Sequence, residues 1–212
     1  MSSERASAKR RQGVLFVVSA PSGAGKTSLC HELMALLPDL RFSVSCTTRP
    51  PRPGEVPGRD YRFVDEPTFR GMIKEGVFLE WAEVYGKLYG TPRAPIQEWI
   101  AQGCDVLLDI DTQGAMQIRR HVPEAVSVYI LPPSMAVLRR RMEDRKGDSP
   151  DEIAKRLKRA KDEVAHYRDY SYVIINDDFK FAVRQLEAIV LAERSRTAML
   201  DLSQVEQVLL ES

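Results

Sequence analysis

Several things are scarce in this chain of 212 residues. It has three cysteines, Cys30, Cys46 and Cys104, far apart and without a C-x-x-C pair. An odd, scattered set argues against a disulfide framework and fits a reducing compartment, so a cytoplasmic protein is expected. No apolar run approaches the roughly 18 residues of a membrane span. The apolar stretch beginning at Val14 is too short and too strand-like for a signal peptide, so no membrane partner is expected. Charge of one sign is also missing. Lys and Arg number 31 against 30 Asp and Glu, a net charge of +1, which gives no global pull toward nucleic acid or an anionic surface. Internal repeats and low-complexity tracts are absent as well.

What is there is an ordinary globular composition, 43% hydrophobic and 29% charged. A chain of this length forms one domain with insertions, or a core with a small subdomain, and can fold without metal or disulfide. Residues 1–12 carry four basic residues against Glu4 and are expected to be a disordered, solvated tail rather than a nucleic-acid arm. Beyond them, short β-branched runs alternate with helical patterns, which predicts an α/β fold with a five-stranded parallel sheet flanked by helices. Strands are expected at 14–19, 41–45, 105–111, 125–131 and 172–176. Helices are expected at 28–37, 92–102, 112–120, 134–142, 150–168 and 179–196. Ser149, Pro150 and Glu152 spell the capping box that starts the helix at 150. The segment 46–91 breaks the alternation with proline, glycine and arginine, a strand-like "DYRFV" and an alternating "VFLEWAEVY". It is expected to be an inserted, partly β subdomain.

The stretch "LFVVSAPSGAGKTSL" places a glycine-rich turn between a buried strand and a helix. Successive backbone N–H groups of such a turn make a nest for phosphate oxygens. The expected triphosphate contacts are Ala20, Pro21, Ser22, Gly23, Ala24, Gly25, Lys26 and Thr27, with Lys26 on the β- and γ-phosphates and the Thr27 hydroxyl on Mg²⁺. Ala20 stands where the usual pattern has its first glycine. It precedes the nest, where a methyl group is tolerated if φ is negative. In "VLLDID", Asp109 is expected to hold Mg²⁺ through water. Asp111 is open to three roles, at the metal, at a base, or as cap of the following helix.

In the insertion, Arg49 and Arg52 flank Pro50-Pro51, and two guanidinium forks on a stiff loop suit a phosphate dianion. The blocks "SVSCTTRPPRPGEVPGRDY", "FLEWAEVYGKLYGT", "LLDIDTQGA" and "YVIINDD" resemble, in order and spacing, those of the guanylate kinases, P-loop kinases with an inserted GMP-binding subdomain and a helical lid. The resemblance covers about residues 13–196. It implies a core of 13–45, 92–138 and 163–212, a GMP-binding insertion 46–91 and a lid 139–162. It implies transfer of the γ-phosphoryl group of ATP to GMP with Mg²⁺, and GMP and ATP as small-molecule partners, with monomer or homo-oligomer left open. Arg49, Arg52, Tyr61 and Tyr89 would hold the GMP phosphate; Ser45, Glu80 and Thr91 would read guanine, with Asp109 and Asp111 beside them. Lys26, Arg49, Arg141, Arg145 and Arg156 would surround the transferring group, and Asn176 would lie near adenine. Lys158, Arg159 and Lys161 are assigned to the solvated helix face. Asp144 and Lys146 replace glycines common in the family's lid.

Base chemistry supports the guanine assignment independently. Guanine offers N1–H and a 2-amino group as adjacent donors to one carboxylate, and adenine offers neither. Alternation on 77–85 sets Glu80 and Glu83 on opposite faces, so one of them lines the cleft. Domains of this kind that have lost catalysis would show an eroded loop, whereas Gly25, Lys26 and Thr27 are intact.

Overall fold

The structure is a computed structural model and describes residues 12–144 and 149–199. The expectations for the tail before residue 12, for Arg145 and Lys146, and for the final segment "SQVEQVLLES" (203–212), whose spacing is helical, lie outside the described residues. The elements in chain order are β1 (Leu15–Ser19), α1 (Lys26–Leu36), β2 (Arg41–Phe42), β3 (Cys46–Thr47), β4 (Arg62–Phe63), α2 (Glu66–Lys74), β5 (Phe78–Val84) and β6 (Lys87–Pro92). They continue with α3 (Arg93–Ala101), β7 (Val106–Asp109), α4 (Thr112–His121), β8 (Val126–Leu131), α5 (Met135–Glu143) and α6 (Pro150–Val164). A 3₁₀ turn (Ala165–Asp169), β9 (Tyr172–Ile175), α7 (Phe179–Arg194) and a short 3₁₀ turn (Thr197–Met199) complete the described chain.

All five residues of β1 are buried because helices cover both faces of its sheet. Phe16 and Val18 pack with Leu29 and Leu33 of α1 and Val183 and Leu186 of α7. Leu15 and Val17 point the other way, against Ile96 of α3 and Ile118 of α4. The sheet runs β2-β7-β1-β8-β9 with every neighbouring pair parallel. Strand order reverses at β1, and ligands of such sheets bind beyond the carboxyl ends of the strands at that point. The phosphate loop lies there.

A second, mixed sheet runs β4-β3-β6-β5, with β3–β4 parallel and the other pairs antiparallel. Its small core holds Cys46, Phe69, Phe78 and Leu88, with the Phe69 and Phe78 rings stacked at 4.5 Å. The β5–β6 register slips between Phe78 and Glu80. This irregularity lets Phe78 enter the small core while Leu79 enters the main one.

Two predicted elements are shorter than the sequence suggests. The strand expected at 41–45 stops at Phe42. The Ser43 amide still donates to Leu107 of the first sheet (3.1 Å), but the Ser45 carbonyl already accepts from Arg62 in the second (2.9 Å). The chain changes sheets within these residues. The helix expected to reach 168 ends at Val164, where the Tyr129 hydroxyl donates to the Glu163 carbonyl (2.8 Å) and the chain tightens into the 3₁₀ turn. Its start has the expected form, with Ser149 and Glu152 in a reciprocal capping box and Pro150 in the first turn. Among the described residues, no helix is long and apolar enough to cross a membrane.

Candidate active site

Between β1 and α1 the chain turns through Gly23 (φ 90°) and Gly25 (φ 95°), in the left-handed region that side chains resist. Tyr85 is the only other kind of residue with positive φ among those described. Ala20 therefore lies outside that region, and its methyl group is buried in the main core beside Ala24. Among the described residues no side chain caps α1, which leaves its first N–H groups for an anion. The loop is braced from behind. Asn176 Nδ2 donates to the Ala24 carbonyl (2.8 Å), and a Cβ on Gly25 would stand 2.5 Å from that nitrogen. Arg141 donates to the carbonyls of Asn176 (2.9 Å) and Ala24 (3.4 Å). The guanidinium assigned by resemblance to the transferring group here holds the back of the loop.

Lys26 Nζ bonds Asp109 Oδ1 and donates to the Ile110 carbonyl (3.1 Å). The Thr27 hydroxyl donates to Asp109 Oδ2 (2.9 Å). Burial pushes the Lys26 ammonium below the ordinary lysine value, against the pull of the Asp111, Glu163 and Glu80 carboxylates. Of the readings left open for Asp111, the helix cap is present: Oδ1 accepts from the Gly114 amide (2.9 Å) at the start of α4. Its Oδ2 faces Gln113 Nε2 (3.3 Å) and Arg159 (3.6 Å).

On the opposite wall, Arg49 grips Glu55 with both fork nitrogens (3.0 and 2.8 Å) and lies over the Tyr61 ring at 5.4 Å. The Arg52 amide donates to the same carboxylate (2.7 Å). Burial raises the Glu55 carboxyl, but these donors outweigh it and hold it below the ordinary range. Tyr61 and Tyr89 meet edge-on at 6.0 Å. Deeper in, Glu80 is 4% exposed and the Thr91 hydroxyl donates to it. The Ser45 hydroxyl lies 3.3 Å from that of Thr91. Burial pushes the Glu80 carboxyl up to about 7, opposed by the Thr91 bond. Its neighbour Trp81 is 39% exposed and Glu83 is exposed, so the alternation of β5 sends Glu80 inward.

These groups share one cleft. A cavity of about 680 Å³ is lined by Thr27 and Asp109 on the loop side, by Ser45, Arg49, Arg52 and Tyr61 on the insertion side, and by Arg156 of α6. A smaller one of about 130 Å³ adjoins it, bounded by Lys26, Glu80, Tyr89, Asp109 and Asp111. A third, of about 230 Å³, lies over Ala20, Pro21, Ser22, Gly23, Gly25 and Thr27. At the hairpin tip, Tyr85 (φ 52°) and Gly86 (φ 70°) form a tight turn that suits Asn or Gly better than tyrosine. Arg156 and Arg159 lie 5.8 and 5.0 Å from the Tyr85 ring centroid. Arg159, expected in solvent with Lys158 and Lys161, instead pairs with Glu163 (2.6 Å) and faces Asp111; the two lysines are exposed.

Sequence reasoning missed Glu55, Gly114 and Gln117. Glu55 carried a signal, as the only carboxylate among the arginines of 49–59. Gly114 carried another, as a glycine inside a capped helix pattern.

A parallel sheet with a phosphate loop at its reversal point, and a second sheet inserted across from that loop, make this a P-loop kinase. The family model for guanylate kinase matches residues 12–193. The chain is 54% identical over 183 residues to the guanylate kinase of Methylococcus capsulatus, covering 86% of this chain and 90% of that one. It is 49% identical over 198 residues to that of Symbiobacterium thermophilum, covering 93% and 94%. The crystal structure of guanylate kinase from Anaplasma phagocytophilum superposes with a TM-score of 0.79 at 36% identity over 96% of each chain. The chain belongs to the guanylate kinase family.

Proposed function

We propose that this chain transfers the γ-phosphoryl group of ATP to GMP, giving ADP and GDP, with dGMP as a further acceptor, in cytoplasmic purine nucleotide metabolism. The observation that carries this reading is the single cavity lined by Thr27 and Asp109 on one side and by Arg49, Arg52 and Tyr61 on the other. Two anion-binding walls facing one space suit a donor and an acceptor that both carry phosphate. The acceptor oxygen belongs to a phosphate whose second pKa is about 6, so no general base is required. Catalysis then rests on alignment and positive charge. Lys26 and Arg156, with Arg145, supply that charge, and Arg141 holds the loop in shape from behind.

The donor set also fits Mg²⁺. Thr27 Oγ1 and the Asp109 carboxylate meet at the mouth of the loop, and Mg²⁺ in such sites takes few protein ligands beside phosphate oxygens and water. Thr27, and Asp109 through water, would hold it; the bound ion would neutralise charge on the β- and γ-phosphates. In the smaller cavity, the Glu80 carboxylate accepts guanine N1–H and the 2-amino group, with the Ser45 hydroxyl lining the same space and the Thr91 hydroxyl bonded to the carboxylate. Asn176 Oδ1 is buried with no partner among the described residues, and the adenine 6-amino group is a donor of the kind it lacks. The insertion 46–91 and the lid 139–162 close on the core 13–45, 92–138 and 163–212, excluding water that would otherwise hydrolyse ATP.

A coupled assay with ATP and a panel of GMP, dGMP, AMP, CMP and UMP tests this. Turnover confined to GMP and dGMP supports it; equal turnover of AMP, or none with any acceptor, overturns it.

A further inference from the structure

Glu80 lies on an edge strand, and what holds that edge comes from outside its own sheet. Among the described residues, β5 pairs with β6 alone in the second sheet. Its other side is met by side chains of α4. Gln113 Nε2 donates to the Glu83 carbonyl (3.4 Å). Gln117 accepts from the Trp81 amide (3.2 Å) and donates to the Trp81 carbonyl (2.7 Å), as a neighbouring strand would. His121 Nδ1 lies 3.4 Å from the Leu79 carbonyl. Every fourth residue of the helix thus meets every second residue of the strand. The pitches agree, since four helical residues rise about 6.0 Å and two strand residues about 6.6 Å.

The same helix shapes the space for the carboxylate. A Cβ on Gly114 would overlap Glu80 Oε2 and stand 2.8 Å from Cδ. Gly114 also donates its amide to Asp111, so the first turn of α4 is fixed by its cap and cannot retreat. Glu80 is therefore located by two contacts with α4: Gln117 pins the backbone next to it, and the missing side chain of Gly114 admits its oxygens.

We propose that α4 sets the position of the base-reading carboxylate, so that Gly114 and Gln117 are positioning residues that determine acceptor specificity. The inference rests on the reading that Glu80 accepts guanine N1–H and the 2-amino group. A displaced carboxylate loses the 2-amino contact, and IMP, which keeps N1–H but has no 2-amino group, has no such contact to lose.

The test compares kcat and KM for GMP, IMP and ATP in the wild type, Gly114→Ala, Gln117→Ala and Glu80→Gln, and in each α4 substitution combined with Glu80→Gln. Gly114→Ala is expected to raise KM for GMP at least tenfold, to leave KM for ATP within twofold, and to reduce the GMP-over-IMP preference about tenfold. Gln117→Ala, which adds no bulk, is expected to give about a threefold loss of that preference. In the Glu80→Gln background either change should add less than twofold, because the group being positioned is already gone. Equal losses for GMP and IMP, or effects that multiply with Glu80→Gln, overturn the proposal. If Gly114→Ala does not fold, Gln117→Ala decides: an unchanged preference in that folded variant also overturns it. A Glu80→Gln protein that keeps the wild-type preference would instead sink the base-reading role itself, a separate and recognisable failure.

Discussion

Replacing Glu80 by glutamine should stabilise the empty protein and cripple it as a binder of GMP. The carboxylate is 4% exposed, and burial pushes it up to about 7 from the ordinary 4.5. That gap, at about 1.4 kcal/mol per pH unit, is worth about 3 kcal/mol. A raised carboxylate holds its proton more tightly when folded than when unfolded. Its contribution is therefore fully favourable below pH 4.5, is lost as pH climbs toward 7, and is flat above that. Glutamine keeps the oxygen that accepts from Thr91 and has no such pH term. The melting curves of variant and wild type should thus run together near pH 4.5 and separate by pH 8, with the variant higher by roughly 5–10 °C for a chain of this size. Binding should go the other way. The carboxamide turns a donor toward guanine's donors, which costs about 3 kcal/mol, or roughly 100-fold in Kd. In the wild type, protonation of Glu80 alone should weaken GMP about tenfold between pH 8 and 6. The GMP phosphate also titrates near there, but identically for both proteins, so the difference in slope isolates Glu80. Thermal melts without nucleotide and calorimetric GMP titrations across pH 5–8 measure both effects. Stability curves that stay parallel across that range would refute the assignment of a buried carboxyl that holds its proton more tightly on folding.

Lys26→Ala should lower kcat by roughly 10²–10³-fold while GMP affinity by calorimetry stays within about twofold; near-normal kcat would remove Lys26 from the transferring group. Glu55→Ala frees the Arg49 fork from its bidentate partner and should raise KM for GMP roughly tenfold, a loss typical of a charge-assisted pair, without moving KM for ATP; an unchanged KM for GMP in steady-state kinetics would show that Arg49 needs no holder. Asn176→Ala leaves the Ala24 carbonyl with Arg141 as its side-chain donor among the described residues. It should cost about 1–2 kcal/mol in denaturant melts and raise KM for ATP but not for GMP; parallel losses for both nucleotides would contradict a role confined to the donor loop.

The parallel sheet was legible because β1, β7 and β8 are buried on both faces and so read as unbroken apolar runs bounded by turns. The second sheet was legible only as an interruption, since β3 and β4 are two residues long and owe their existence to partners far along the chain. The phosphate loop was readable because its chemistry is local: one turn holds the glycines, the lysine and the threonine. The alternation of β5 separated Glu80 from Glu83 without any tertiary information. What sequence did not show is what side chains do across elements. Arg141 bonds carbonyls at Ala24 and Asn176, 117 and 35 positions from it, and no spacing rule announces such a contact. Arg159 looked like one more charge on a solvated helix until α6 was seen to pass Asp111 and Tyr85. Gly114 could be flagged as an oddity inside a helix, but its reason lies on a different strand.

The chain passes between its two sheets twice, outward through Ser43 to Ser45 and back from Thr91 into α3. The hydroxyls of Ser45 and Thr91, one on each crossing, stand 3.3 Å apart. Whatever occupies the pocket beside Ser45 and Glu80 therefore lies against both crossings, since the Thr91 hydroxyl bonds Glu80. The β5–β6 hairpin runs outward from there for six residues, roughly 20 Å, to Tyr85, so a turn of a few degrees at its base would move its tip by an ångström or more beside Arg156 and Arg159 of α6. Acceptor occupancy would then be reported to the far wall of the cleft by leverage alone, without a dedicated relay of side chains.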